Sequence, residues 1–374
     1  MRLVCLQENL KRGLNVVGHV TTKNINLSIL NNILIKSENG NIELISTNLE
    51  VGVTCQLRGK IESDGQFTVD SKLITEYVNL LNGNEKVKLE EKDGELRLEC
   101  GRYKTKIKGE PAKEFPLIPV IPKDAYFSCQ IDDLRRALNG VIFAVSTNEN
   151  RVELTGVLLS FLKDKLSLAA TDSYRLAESE ISVINKGKKD GVKVIVPAKT
   201  VQELLRILNS LDLSALESEA DIKIYITENQ ILFTVDSIDL ISRLINGHYP
   251  DYKQIIPAQS QTEILVERGE LTRAVKASAL FSKTGINDVT LKFSKNKITV
   301  SAFSGASGES QVEIEANITG GDNEITINYR YLIDGLNNIS GDLVRMGILN
   351  SNTPCLLKAE KDGNYLYIIM PIRQ

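Results

Sequence analysis

The sequence predicts an α+β protein of three repeated domains, each with two helices packed on antiparallel sheets. Three observations lead to this fold class. An amphipathic helix pattern occurs three times along the 374 residues, a second helix pattern follows each of them, and hairpin-type strands follow every helix. The copies are shifted by roughly 125 to 137 residues, whereas solenoid repeats have periods of about 20 to 50, so each copy is a whole domain.

The first helix of each repeat has an apolar face and a polar face. In DDLRRALNGVIFAVS the apolar residues recur at spacings of three and four and share one side of a helix: Leu134, Ala137, Leu138, Val141 and Val145. Arg135, Arg136 and Asn139 point elsewhere. The stretches LKRGLNVVGHV, from Leu10, and LTRAVKASALFSK, from Leu271, have the same pattern. Such a polar face is ordinarily solvent-exposed. Because the same pattern occurs three times, its basic residues could share a function.

A basic residue lies at the matching place of every predicted helix. In the first series it is Arg12, Arg136 and Arg273. The second series consists of DSKLITEYVNLL, PAKTVQELLRIL and NYRYLIDGLNNI, which begin at Asp70, Pro197 and Asn328. Its first turns contain Lys72, Lys199 and Arg330. Pro197 suits a helix start, because its fixed φ and missing N–H cost little there.

Hairpins follow both helix series. After the first helices come ILIKSENGNIELIS, VLLSFLKDKLSLAA and VTLKFSKNKITVSAF, and after the second come VKLEEKDGELRLEC, IKIYITENQILFTV and LLKAEKDGNYLYIIM. Two of these carry an Asp-Gly turn, at Asp93-Gly94 and Asp362-Gly363. Proline-bearing stretches at Gly109 to Asp124 and Asn246 to Ser260 separate the copies. We therefore expect domains at residues 1–122, 123–250 and 251–374.

The composition excludes several functional classes. Apolar residues make up 42% and charged residues 25%, which is typical of a folded globular chain. No apolar run reaches the roughly 20 residues that span a bilayer, and the first residues lack a secretory signal, so a cytoplasmic location without membrane contact is expected. Five scattered cysteines without a CxxC pair and only two histidines, His19 and His248, predict neither a metal site nor a Ser/His/Asp triad. No cofactor is expected.

The charge distribution indicates a polyanionic partner. The chain has a net charge of −3, but the six helical windows hold roughly 13 basic against 9 acidic residues, about +4, which leaves about −7 elsewhere. Acidic residues in first helical turns also suit the helix dipole, so solvated helices remain an alternative. If the helices face inward in each domain, their cations line a concave wall. Three domains form only an arc, and a second copy joined head to tail would close it into a ring.

Three motifs resemble the bacterial DNA polymerase III beta subunit family, the sliding clamps. AATDSYRLA (Ala169 to Ala177) is similar to the family's TDGHRLA-type segment, HYPDYKQIIP (His248 to Pro257) to its FPDY…P segment, and YIIMPIR (Tyr367 to Arg373) to its closing MP[MI]R. The resemblance covers the whole chain. It implies a non-catalytic homodimeric ring around double-stranded DNA of any sequence, conferring processivity. The implied protein partners are the DNA polymerase III alpha subunit, the clamp loader and other proteins with a clamp-binding motif.

The resemblance also implies three sets of site residues. Clients would insert a short peptide with apolar and aromatic ends into a cleft formed by Leu154, Thr171, Ser173, Tyr174, Arg175, Leu176, Pro250, Ile255, Pro354, Ile368, Ile369, Met370, Pro371 and Ile372. The DNA-facing residues would be Arg12, Lys23, Lys72, Arg136, Lys199, Arg273 and Arg330. The dimer interface would join Leu280 and Phe281 of one copy to Thr105 and Ile107 of the other.

The chain departs from the family pattern at several of these places. Ser173-Tyr174 stands where the family commonly has Gly-His, and Gln254 where many members have arginine. Asn24 and Ala198 replace basic residues. These differences put client preference and individual DNA contacts in question. A plainer interpretation of Arg175 is an ion pair with a neighbouring acid such as Glu178, and YIIMPI alone could be an ordinary closing strand.

Two other functions fit parts of the sequence. One is an enzyme, such as a hydrolase using Asp172, Ser173 or Tyr174, although SGASGES misses the GxSxG spacing and no GxxxxGK[ST] motif is present. The other is an open, monomeric arc that binds nucleic acid. Oligomeric state separates the ring from the arc.

Overall fold

The helices and strands repeat in the same order three times. The computed structural model describes residues 1–21, 27–211 and 221–373. Within these residues each predicted domain contains one strand, a helix, five strands, a second helix and three strands. The predicted threefold α+β repeat is therefore confirmed.

The helices of the described residues are α1 (Gln7–Val17), α2 (Ser71–Asn79), α3 (Ile131–Ile142), α4 (Ala198–Ser210), α5 (Arg268–Ala279) and α6 (Tyr329–Asn338). The first strands are β1 (Arg2–Leu6), β2 (Asn32–Glu38), β3 (Asn41–Thr47), β4 (Val51–Gln56), β5 (Gly59–Ser63), β6 (Gly65–Asp70), β7 (Lys86–Lys92), β8 (Glu95–Cys100) and β9 (Tyr103–Pro111). The next are β10 (Tyr126–Gln130), β11 (Gly156–Leu162), β12 (Lys165–Thr171), β13 (Arg175–Ser182), β14 (Ile184–Lys186), β15 (Val192–Pro197), β16 (Asp221–Ile226), β17 (Gln230–Val235) and β18 (Ile238–Arg243). The last are β19 (Thr262–Glu267), β20 (Asp288–Ser294), β21 (Lys297–Ser304), β22 (Gly308–Glu315), β23 (Asn317–Gly320), β24 (Asn323–Asn328), β25 (Leu343–Ile348), β26 (Cys355–Ala359) and β27 (Tyr365–Ile369).

The apolar helix faces are buried as the spacing predicts, with one exception. In α3 the buried residues are Leu134, Ala137, Leu138 and Val141. Val145 was expected on the same face, and this was wrong because α3 ends at Ile142. Beyond that point the guanidinium of Arg175 donates to the carbonyl of Phe143 at 2.8 Å. A distant side chain thus satisfies a carbonyl at the helix end, where helical partners run out.

Each of the six predicted hairpins forms, but their turns differ. Asp93 and Gly94 have φ values of +59° and +75°, as an Asp-Gly hairpin turn requires. The second Asp-Gly prediction was wrong, because β26 ends at Ala359 and β27 begins only at Tyr365. There the carboxylate of Asp362 accepts the backbone N–H of Asn364 at 3.0 Å, so the aspartate shapes a longer loop.

The strands form three antiparallel sheets that do not stop at the predicted domain limits. One sheet has the order β14-β10-β16-β17-β18-β4-β3-β2-β6-β9-β8-β7-β1-β5, the second β15-β11-β12-β13-β27-β26-β25-β19-β23, and the third β22-β21-β20-β24. The pairing of β18 with β4 and of β13 with β27 joins strands of different sequence repeats. The central repeat is therefore shared between two compact units.

The first compact unit contains Met1–Ile131, Ile184–Lys189 and Lys199–Leu244. Its long sheet is covered by α1 and α2, which pack side by side, with α1 on β3 and β4 and α2 on β6. Leu10, Leu14 and Val17 of α1 and Ile74 and Val78 of α2 are fully buried. In α1 the buried positions recur at spacings of four and three, as the predicted amphipathic pattern requires.

The second compact unit contains Asp132–Val183, Asp190–Ala198 and Ile245–Gln374. Here α5 and α6 pack against each other, α5 on β21 and β22 and α6 on β24 and β27. No helix in the described ranges is long and apolar enough to cross a membrane. In the same ranges, no three His, Cys, Asp or Glu side chains are grouped so that they could hold a metal ion.

Gly335 of α6 allows the close approach of this helix to β27. A Cβ atom at this position would overlap the aromatic ring of Tyr367, which is fully buried. We expect Gly335→Ala to lower the free energy of unfolding by about 1–3 kcal/mol, the cost of overfilling a packed core. Thermal denaturation checks this.

The matched control is Gly140→Ala in α3. Its Cβ would come to 3.1 Å from Cε2 of Tyr365, so a shift of a few tenths of an ångström accommodates it. Alanine also has the higher helix propensity, which offsets part of this cost. Equal destabilisation by the two variants would contradict the proposed role of the Gly335 contact.

Candidate functional site

The site is assembled by the pairing of β13 with β27. Arg175 lies opposite Ile369 and Leu176 opposite Ile368. One more backbone hydrogen bond, from the N–H of Met370 to the carbonyl of Tyr174 at 2.8 Å, continues the pairing. Two motifs that are far apart in the sequence, AATDSYRLA and YIIMPIR, are thereby brought together.

The tight turn before β13 is held by Asp172. Its Oδ1 atom accepts the backbone N–H of Tyr174 at 2.9 Å and of Arg175 at 3.0 Å. Ser173 has a φ of +80°, a left-handed conformation that favours glycine. Its hydroxyl oxygen accepts a hydrogen bond from Nη1 of Arg151 at 2.8 Å. The serine therefore combines backbone strain with a side-chain contact that glycine could not make.

Arg175 connects the turn to two helices. Its side chain is only 12% exposed, and it donates to Oδ2 of Asp172 at 3.0 Å and to Oδ2 of Asp334 at 2.5 Å. The guanidinium also lies over the ring of Tyr331, 4.6 Å from its centroid. The plainer interpretation, an ion pair with a neighbouring acid, is confirmed with Asp172 as the partner. Glu178 is not that partner, because it accepts a hydrogen bond from the Tyr252 hydroxyl.

Burial and these contacts shift several pKa values. Burial by itself lowers the pKa of Arg175, but Tyr367, Asp334 and Asp172 outweigh it and the pKa is raised. Burial raises the pKa of Tyr252, and its hydrogen bond to Glu178 raises it further. The arginine thus stays charged and the tyrosine protonated, so both remain hydrogen-bond donors.

A cavity of about 830 Å³ opens beside this pairing. Seven predicted cleft residues line it: Ser173, Tyr174, Ile255, Pro354, Met370, Pro371 and Ile372. It is also lined by Gln254, Ile286, Asn328, Tyr331, Asn352 and Arg373. Of these, Gln254 departs from the family pattern and Arg373 ends the YIIMPIR motif. Asn328 caps α6 and Tyr331 lies in its first turn, and this helix was expected to face DNA. The apolar wall with a few polar groups suits an amphipathic peptide.

The other predicted cleft residues lie beneath the cavity or beside it. Leu154, Leu176 and Ile368 are at most 1% exposed and pack with Tyr249 and Tyr252 in one apolar cluster. Thr171 and Ile369 are buried as well, and Pro250 is half-buried. Ile255 belongs to both places, since it packs on this cluster and lines the cavity. Apart from Ile255, these residues do not line the cavity but form the floor that shapes it, and Arg175 does not line it either.

Comparison with known proteins identifies the family. The DNA polymerase III beta subunit models match in three consecutive parts, the N-terminal domain at residues 1–119, the central domain at 129–251 and the C-terminal domain at 253–373. The chain belongs to the DNA polymerase III beta subunit family. The resemblance predicted from the motifs is confirmed, while the domain limits after residues 122 and 250 stay predictions.

Individual members of the beta subunit family match over the full length. The beta sliding clamp of Synechococcus elongatus is 27% identical over 377 residues, which cover 100% of this chain and 99% of that protein. The structure of the Pseudomonas aeruginosa DNA polymerase III subunit beta has a TM-score of 0.93 at 26% identity, with 100% of both chains covered. A structure of the Pseudomonas aeruginosa clamp bound to griselimycin has the same score, identity and coverage.

The basic residues predicted to face DNA are exposed wherever the structure describes them. Lys23 and the neighbouring Asn24 lie outside the described residues. Four of the cations have an acidic partner within 4 Å: Arg12 with Asp236, Lys72 with Glu76, Arg136 with Asp133, and Arg273 with Glu267 and Glu270. Arg330 lies over the ring of Tyr329. At the four paired cations, a DNA phosphate would have to displace an exposed ion pair. Such a pair contributes about 0–1 kcal/mol to the free energy of unfolding.

The predicted dimer residues differ in accessibility. Leu280, just after α5, is 77% exposed, and Phe281 is partly exposed. Thr105 is partly exposed as well, but Ile107 is only 4% exposed. A contact of the Ile107 side chain with another copy is therefore disfavoured, because its own domain already covers it. Tyr103, two residues before Thr105 on the same face of β9, is 37% exposed and extends that face.

The strain at Ser173 predicts an order of stability. Ser173→Gly relieves the left-handed φ, whereas Ser173→Ala keeps it and loses the hydrogen bond from Arg151. We expect the glycine variant to exceed the alanine variant by about 1 kcal/mol in unfolding free energy. Urea denaturation measures the difference, and an alanine variant as stable as the glycine variant would show that the turn is unstrained.

Proposed function

We propose that the protein is a DNA sliding clamp that confers processivity on the replicative polymerase. Two copies close head to tail into a ring around double-stranded DNA, and clients dock in the cavity beside β13 and β27. The observation that carries this is the match of all three beta-subunit domains along the chain, together with the same fold over the full length of a solved beta subunit. As a family member the protein is a non-catalytic subunit and needs no cofactor.

The proposed setting and partners follow from this role. The clamp works in the cytoplasm on DNA of any sequence. Its protein partners are the DNA polymerase III alpha subunit, the clamp loader and other proteins with a clamp-binding motif. The chain divides into clamp domains at residues 1–122, 123–250 and 251–374, in line with the repeated order of elements.

The geometry disfavours the enzyme alternative. A nucleophilic serine needs a base that accepts its proton. The hydroxyl of Ser173 instead accepts from Arg151, and an arginine stays protonated in proteins. Asp172 uses one oxygen for backbone N–H groups and the other for Arg175. These residues build a turn and carry no chemistry.

Ring closure is supported by two open strand edges of opposite charge. Over Tyr103–Lys108, β9 pairs with β8 alone among the described strands, and β22 is the outer strand of its sheet. The exposed residues along β9 include Lys104, Lys106 and Lys108, and those along β22 include Glu309, Glu313 and Glu315. Within one copy, Lys104 and Lys106 are paired with Glu99 and Glu95 of β8, and Glu313 is paired with Lys297 of β21. A head-to-tail contact would exchange these exposed ion pairs for pairs between a lysine edge and a glutamate edge. This favours a head-to-tail contact over pairing of identical edges.

The cleft differs from the family pattern in ways that affect clients. Tyr174, which is 63% exposed, replaces a histidine, and Gln254 replaces an arginine on the rim. Compared with the family pattern, the rim therefore lacks an arginine cation and carries a tyrosine ring in place of an imidazole. Met370 is the only methionine in the lining, and its flexible side chain suits an adaptable peptide site.

Topological retention on DNA tests the proposed ring. The protein is loaded onto nicked circular DNA by a clamp loader, washed in high salt, and the DNA is then cut. Salt removes electrostatic contacts, and so a closed ring should survive the wash and leave only after linearisation. Retention that ignores DNA ends would instead support an open arc.

Phe281→Asp serves as the ring-opening variant in the same experiment. A carboxylate at a desolvated interface costs several kcal/mol, so this variant should sediment as a monomer and wash off circular DNA. The control is Leu162→Asp, since Leu162 is 58% exposed and lies outside the predicted interface. A Phe281→Asp variant that stays dimeric would count against this interface.

Peptide binding tests the cleft separately. A short fluorescent peptide with one apolar and one aromatic end should bind the wild-type protein, and Met370→Ser should weaken its Kd about tenfold, equivalent to about 1.4 kcal/mol of lost apolar contact. Fluorescence anisotropy measures this. Leu162→Ser should leave the Kd unchanged, and equal weakening by both variants would place the peptide elsewhere.

A further inference from the structure

Each compact unit contains a junction between two sequence repeats, and the strands run across it as one ladder. In the first unit, β18 of the central repeat pairs with β4 of the first repeat. Helix α1 packs on β4, and α4 is joined to β18 by a buried hydrogen bond between the hydroxyls of Thr200 and Ser242 at 2.7 Å. Strand pairing fixes the register, but the twist between neighbouring strands varies from about −10° to −35°. The angle between the two repeats therefore depends on contacts between their helices.

Such a contact is made by a buried carboxylate of α4. Glu203 is 7% exposed, and no other Asp, Glu, Lys or Arg in the described ranges is buried. Arg206, one turn later, donates from Nε to both carboxylate oxygens at 3.1 Å and from Nη2 to Oε1 at 2.5 Å. Nδ1 of His19, just after α1, lies 3.0 Å from Oε2. Both oxygens thus have partners, as a buried charge requires.

The same arginine reaches across the junction to the end of α1. Its Nη1 donates to the carbonyl of Asn15 at 3.1 Å, and its Nη2 donates to the carbonyl of Val16 at 2.5 Å. The last carbonyls of a helix have no helical partner and carry partial negative charge. The last turn of α1 has no basic residue of its own. A guanidinium from the next repeat therefore caps α1, and Glu203 holds that guanidinium in place.

The second compact unit contains the same contact. Asp334 of α6 matches Glu203, because each lies four residues after the basic residue of the second helix series. Asp334 accepts a hydrogen bond from Arg175, which also donates to the carbonyl of Phe143 just after α3. The last turn of α3 likewise has no basic residue. The two arginines come from different elements, α4 and β13, so the shared feature is the contact and not a repeated motif.

We propose that Arg206 is a positioning residue for ring closure, because it fixes the angle between the first and the central repeat. This inference rests on the proposed ring. The β9 edge belongs to the first repeat, so a rotation of α1 against α4 moves that edge as well. A head-to-tail contact closes into a ring only when the rotation from one unit to the next is right. Glu203 acts through Arg206 by orienting its guanidinium.

A double variant separates positioning from stability. Apolar side chains of similar volume can replace a buried ion pair without loss of stability, so Glu203→Met/Arg206→Met should fold and melt like wild type. It lacks the cap on α1. Spin labels on Lys11→Cys of α1 and Asn209→Cys of α4, both exposed, report the angle through their distance distribution. The described native cysteines are buried. Labelled chains are diluted with excess unlabelled chains, and pulsed electron paramagnetic resonance should show a broader distribution in the double variant.

Sedimentation velocity on the unlabelled proteins then measures closure. The dimer Kd of the double variant should rise at least about tenfold, equivalent to about 1.4 kcal/mol. Arg206→Lys keeps the charge but cannot bridge the carboxylate and both carbonyls, so it should have an intermediate effect in both measurements. The control is Asp132→Met/Arg135→Met, an exposed ion pair with the same spacing within α3, which should behave like wild type.

The outcomes distinguish this inference from the proposed ring. A wild-type distance distribution or a wild-type dimer Kd in the double variant would overturn the role of Arg206. An equal rise of the Kd in the control would overturn it too, since any lost ion pair would then suffice. A wild-type protein that stays monomeric would instead refute the ring, and the label distances would still decide whether Arg206 sets the angle.

Discussion

The antiparallel pairing of β13 with β27 is the interaction on which the candidate site depends. It fixes Arg175 opposite Ile369 and continues through the hydrogen bond from Met370 to Tyr174. Because side chains alternate across a strand, a slip of β13 by one residue would move Leu176 off the face that it shares with Ile368 and bring a neighbour such as Arg175 onto it. The ladder therefore sets which residues line the cavity and which form its floor. Arg175 stabilises the same arrangement, because its guanidinium donates hydrogen bonds to Asp334 and to the Phe143 carbonyl at the end of α3.

Electrostatics in this protein favour weak contacts with nucleic acid over tight ones. The exposed cations of the helices mostly have carboxylate neighbours, and the net charge is −3. Phosphate contacts made by such residues carry no base information and depend on salt. A protein of this kind cannot stay on DNA by affinity alone. In the proposed ring, closure by opposite strand edges would supply the retention, and weak contacts would leave the ring free to slide.

Much of the fold could be predicted, because helix and strand periods are local properties of the chain. The apolar face of α3 from Leu134 to Val141 and the Asp93-Gly94 turn follow from spacing and turn chemistry. The end of α3 could not be predicted, since a carbonyl there is capped by Arg175, which lies far away in sequence. The cavity lining was found in part. Ile286 and Asn352 were missed because nothing local marks them, and only the packing of distant elements brings them together.

The sequence by itself determined the elements, their threefold order and the family, since each is encoded in short-range pattern or in contiguous motifs. Tertiary structure alone decided that the central repeat is divided between two sheets, that Ile107 is covered by its own domain, and that Glu178 pairs with Tyr252 and leaves Arg175 to Asp334. The physical reason is that each strand and side chain pairs with whichever of many distant segments gives the lowest free energy. A short stretch of sequence does not contain that information.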